Sequence, residues 1–114
     1  MSFSCGDLFK HNKIMQRKCD SLKTNLSAIL TKSTPIDKKL YGTLHNTCNE
    51  IALDGNGNQR LTITTTLLNA IAQTKDGTSN HGLLLALGLM FYAACHDGVE
   101  ISEALRTPSH KPLS

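Results

Sequence analysis

"RLTITTTLLNAIAQTK", residues 60–75, is the stretch on which the fold turns. Leu61 and Ile63 alternate with threonines, which is the period-two pattern of a strand built from β-branched residues. Leu67, Leu68, Ala70 and Ile71, a few positions on, recur at helical spacing instead. As a strand, the first half would pair backwards and make "NEIALDGNGNQRLTIT", residues 49–64, a hairpin. A lone two-stranded ribbon in a helical domain is marginal in water, so a helix from about Thr62 is the reading adopted.

The segments on either side carry the helical pattern more plainly. Leu8, Met15, Leu22 and Ile29 recur every seven residues, and Cys5, Asn12, Cys19 and Leu26 follow at the companion spacing. That is one long amphipathic helix, with Asn12 as a polar interruption of its stripe. "STPID" then starts a second helix, with Thr34 as N-cap, Pro35 at the first helical position and Asp37 in the first turn. Ile36, Leu40, Leu44, Cys48 and Ile51 give that helix an apolar side over about residues 35–53. After the turn "KDGTSNHG", residues 75–82, comes "LLLALGLMFYAACHDG", residues 83–98, which is apolar on every side. Such a helix belongs at the centre of a core or partly in a subunit interface. Gly88 would let a neighbouring helix approach, and Gly98 would stop this one. A short helix is expected over 99–106.

The fold class expected is therefore all-α, a single-domain bundle of four main helices with a short fifth, mostly up-and-down because the connections are short. The bundle spans residues 1–106, and 107–114, "TPSHKPLS", forms a mobile tail. A chain of 114 residues is one domain's worth. With three Phe, two Tyr and no Trp, its core is filled mainly by aliphatic side chains, which suits helices.

No apolar stretch of signal-peptide length opens the chain, and the most apolar run, 83–95, is too short to cross a bilayer. A cytoplasmic location is expected. Cys5, Cys19, Cys48 and Cys95 are scattered without a CxxC, and a chain of this size can build a core without cross-links, so free thiols are expected.

Several stretches resemble chemical motifs. In "LDGNGNQRLT", residues 53–62, Asp54, Asn56, Asn58 and Leu61 resemble the start of an EF-hand calcium loop. Gln59 stands where the turn glycine belongs and Thr65 where the bidentate Glu belongs, which leaves one formal negative charge for a cation. A tight interhelical turn is expected instead, with positive φ at Gly55, Asn56 and Gly57 and with Asn58 or Thr62 as the next cap. His96–Asp97 resembles the HD dyad of metal-dependent phosphohydrolases, with His45 or His81 as the earlier ligand. No Asp follows Asp97, only Glu100 and Glu103, so a helix-end cap is the reading adopted. His45 and Cys48 share a helix face and Cys95 and His96 could add ligands for zinc, but both cysteines fall on apolar faces and are read as packing. No metal or cofactor is expected, and no catalytic constellation is complete.

What remains is charge. The net charge is +3, and residues 1–39 hold eight of the twelve Lys and Arg against three acids. Lys10, Lys13, Arg17 and Lys18 on the first helix form the expected partner-binding surface. The function expected is that of a small non-catalytic interaction module of adaptor, immunity or chaperone type, binding an acidic protein partner through helix faces, with room for a homodimer. The alternative is a nucleic-acid-binding regulator using the same basic helix. No membrane partner is expected, and an acidic side at Asp97, Glu100 and Glu103 is the next surface to consider.

Overall fold

A computed structural model describes the backbone of residues 3–106 and the side chains of residues 3–98. Five helices follow in order: α1 (Cys5–Leu8), α2 (Lys13–Lys32), α3 (Lys38–Asp54), α4 (Gly57–Gln73) and α5 (Ser79–Arg106). There is no strand among the described residues. The mobile tail expected at 107–114 lies outside them.

The deciding stretch is helix α4, and its burial pattern shows why. Ile63 is fully buried while Leu61 is 65% exposed, although a strand would put both on one face. Ile63, Thr66, Leu67 and Ala70 instead form one buried helical stripe. The threonines are accommodated by bonding back one turn: Thr64 Oγ1 donates to Arg60 O and Thr66 Oγ1 to Thr62 O, both at 2.8 Å. The helix begins at Gly57, five residues before the expected start, because Asn56 and Gln59 make a reciprocal capping box at 2.8 Å in each direction.

The single long N-terminal helix is not formed. Phe9–Asn12 breaks it, with His11 in the left-handed region at φ 67°, and Asn12 serves as N-cap of α2 through Oδ1 accepting from Met15 N. The polar interruption in the stripe is thus a helix start. The break folds α1 back onto α2 and joins Cys5 to Cys19 in a disulfide, which corrects the expectation of four free thiols. On a continuous helix their Cα atoms would stand about 21 Å apart; here they are 5.7 Å apart. Three further bonds fasten this corner. Gln16 Nε2 donates to Phe9 O, Gln59 Nε2 to Leu8 O, and Lys23 Nζ to Phe3 O while lying over the Phe3 ring.

Boundaries elsewhere also move for identifiable reasons. Helix α3 is capped by Asp37 rather than Thr34, because Asn80 of α5 holds the linker extended: Asn80 Nδ2 donates to Thr34 O and Asn80 Oδ1 accepts from Ile36 N, each at 2.9 Å. Between α3 and α4 only Gly55 and Asn56 intervene, and both have negative φ, so the positive values expected there are absent. Gly55 is required for space, since a Cβ would run into Ile51 O. Gly98 does not stop a helix; α5 runs through it to Arg106, so the short helix of the bundle is α1 and not 99–106. Gly98 packs instead on Ala52 O of α3, where a side chain would collide with backbone. Gly88 behaves as expected and lies against Ile71 Cδ1 of α4.

The core joins Met15, Cys19, Leu22, Leu26 and Ile29 of α2 to Leu44, Cys48 and Ile51 of α3, Ile63 and Leu67 of α4, and Leu84, Leu87 and Phe91 of α5. Helix α5 packs on α3 and α4 and is not encircled. One side of it is core, while Leu85, Leu89 and Tyr92 remain exposed.

Candidate functional site

The four basic residues singled out from the sequence do not share one helix face. Lys10 lies in the turn after α1, Lys13 is the first residue of α2, and Arg17 stands one helical turn further on; all three are exposed. Lys18 is turned towards α3, where its Nζ donates to both carboxylate oxygens of Glu50 at 2.6 Å. That pair is about 40% exposed on both sides, so it ties α2 to α3 at a gain of about 0–1 kcal/mol. Its consequence for recognition is larger, because Lys18 is already neutralised. The ion pairs among the described residues are this one and His81–Asp76, so Lys10, Lys13 and Arg17 keep their charge for solvent or a partner.

The residues considered for a metal form no common centre among the described residues. His45 lies beside Tyr41, with ring centroids 6.2 Å apart. His81 Nδ1 meets Thr74 Oγ1 at 2.9 Å near the start of α5, and its Nε2 lies 3.6 Å from Asp76. His96 and Asp97 are about 22 Å further along the same helix, so they share no centre with His81. Among the described residues no group of three or more His, Cys, Asp and Glu converges. The side chains of Glu100 and Glu103 lie outside the described residues, and with them the acidic side.

Cys48 and Cys95 carry the free thiols. Burial pushes the Cys48 thiol up to about 12, with Cys95 adding to the effect. Cys95 is raised by burial too, and the Arg60 guanidinium works against that rise. Arg60 also donates from Nε to Ala52 O at 2.8 Å, capping the end of α3 where a cation is favoured. Both thiols are held in the protonated form, which is unsuited to a nucleophile.

In the turn that resembles a calcium loop, Asn56 Oδ1 accepts from Gln59 N and Asn58 lies in the first turn of α4. The Asn56 and Gln59 side chains serve a helix start.

Two features were not anticipated from the sequence. A trough of about 560 Å³ beside α2, lined by Lys23, Thr24, Ser27, Thr31, Lys32 and Gln73, continues towards α4. The second is a wholly uncharged groove of about 340 Å³ between α4 and α5. Its signal was visible, since an all-apolar helix has more apolar faces than one core can cover.

No family model, curated protein or solved structure matches the chain. No helix of the described residues is long and apolar enough to cross a membrane.

Proposed function

We propose that the protein is a non-catalytic interaction module, of the adaptor, immunity or chaperone kind, that engages an acidic protein partner through the basic surface at the start of α2. The observation that carries the reading is the state of Lys13 and Arg17: exposed, one helical turn apart, without an ion pair among the described residues, and joined by Lys10 on the adjoining turn. Unneutralised cations grouped on a rigid helix steer an anionic surface during encounter. Lys18 contributes to the fold through Glu50 and is left out of the surface.

The test is reversal of all three to Glu. These positions are exposed and make no ion pair among the described residues, so the melt should hardly change, because surface substitutions of this kind stay within about 0.5 kcal/mol. Capture of the partner recovered with the wild-type chain from native extract should be lost. Capture at normal strength sinks the reading. Affinity for a generic duplex that falls steeply with salt, and disappears in the triple variant, would move the assignment to nucleic acid.

The cytoplasm is the proposed location, and the Cys5–Cys19 link stands against it. Disulfides persist in oxidising compartments and are rare in a reducing cytosol. Rapid alkylation in intact cells decides the matter: both thiols free would support the cytoplasm, and a persistent cross-link would place the protein in an oxidising compartment.

A further inference from the structure

The α4–α5 hairpin has an unusual surface for two helices that face solvent. Residues 61–74 and 77–96 contain no Asp, Glu, Lys or Arg, and the charged residues between them, Lys75 and Asp76, sit in the turn. The helices run antiparallel, with Gly88 against Ile71 and His81 against Thr74. On their outer side Leu68, Leu85, Leu89 and Tyr92 are 60, 42, 72 and 73% exposed. They surround the uncharged groove of about 340 Å³ beside Gly88. Positions 85, 89 and 92 follow the spacing of a helix–helix seam, and Leu61, 65% exposed, stands one heptad before Leu68.

We propose that this face is covered by a second copy of the chain, in a two-fold dimer that sets the two α4–α5 hairpins against each other. Charge argues for this occupant. A two-fold axis brings residues near it opposite their own counterparts, so any charge there would meet its like. A face free of charge satisfies that condition and offers nothing to a charged partner. The basic excess, eight Lys and Arg against three acids, lies in residues 1–39, none of which lines the groove. Shape argues the same way, because one patch carries both knobs, Leu89 and Tyr92, and a hole beside Gly88. Area agrees as well. A standard interface takes about 800 Å² from each partner, about 65% of it apolar in homodimers. The five exposed side chains supply on the order of 500 Å², at about 150–250 Å² for a fully exposed large side chain. The inference does not depend on the basic surface of α2.

Sedimentation equilibrium of the full chain tests it. The expected mass is twice the 12.4 kDa of one chain, with a thermal midpoint that rises with chain concentration. Leu89→Lys and Leu89→Glu should each give single-chain mass with an unchanged helical spectrum, and an equimolar mixture of the two should recover the dimer. If Leu89→Lys loses its helical spectrum, Tyr92→Lys is read in its place. The Lys10, Lys13 and Arg17 reversal should remain dimeric, which separates this outcome from that of the proposed function. A wild-type chain of single mass throughout the dilution series overturns the proposal. So does a folded Leu89→Lys or Tyr92→Lys chain that keeps the dimer mass, or a mixture that stays monomeric.

Discussion

Cys48 has no exposed surface, and a thiol so enclosed is kept neutral because its thiolate would lose hydration without gaining a partner. Its value rises from 9.0 to about 12 through burial first and Cys95 second. In the unfolded chain the same thiol ionises near its ordinary value. Between these two values the unfolded chain has released a proton that the native state still holds, so stability is intact below about 9 and falls as pH climbs towards about 12. The slope is about 1.4 kcal/mol per pH unit from this group. Urea melts between about pH 8 and pH 11 should show a steeper loss for the wild type than for Cys48→Ala, which removes the titrating group. Equal slopes would mean that the thiol is open to water.

Helix α1 is a single turn and could not persist alone, since helices shorter than about 12 residues are marginal in water. It is held by Phe9, buried beside Cys5, by the carbonyl contacts from Gln16, Gln59 and Lys23, and by the cross-link to α2. The cross-link closes a loop over a separation of 14 residues, which corresponds to about 3 kcal/mol. Cys5→Ala with Cys19→Ala should therefore lower the unfolding free energy by about that amount, read in a denaturant melt without reductant. In the same variant, cleavage by added protease should appear within the first twelve residues before anywhere else. A melt unchanged by both substitutions, and by reductant, would show that the side-chain contacts hold α1 without the bond. Of this corner, the heptad stripe reveals that Cys5 and Cys19 are apolar-face residues. That they meet depends on His11 adopting a left-handed backbone, for which the stripe carries no signal.

Across the whole molecule, α5 divides between core and surface in a way that single substitutions can separate. Leu87 is fully buried among α3, α4 and α5, whereas Leu89, two residues on, is 72% exposed. Leu87→Ala should cost about 2–5 kcal/mol, a large share of the about 5–15 kcal/mol that a domain possesses. Leu89→Ala, at a dilution where one chain sediments alone, should stay within about 0.5 kcal/mol. Similar losses at both positions would mean that α5 is buried all round and that its outer face has been misassigned.

The sequence by itself determined the helical class and the apolar stripes of α2 and α3, because amphipathic spacing is a local property of a few turns. It also marked Lys10, Lys13 and Arg17 as candidates, because exposed basic residues lack any apolar register. Tertiary structure alone decided the rest. The Lys18–Glu50 pair joins residues 32 apart, and the Asn80 clamp on Thr34 and Ile36 joins residues 46 and 44 apart. Such partners are set by where the chain reverses, which depends on a left-handed residue at His11 and a two-residue connection at Gly55 and Asn56. Which side of α5 is covered was undetermined for the same reason. A helix apolar on every side presents the same hydrophobic gain in any orientation, and only the shapes of α3 and α4, received at Gly98 and Gly88, select one.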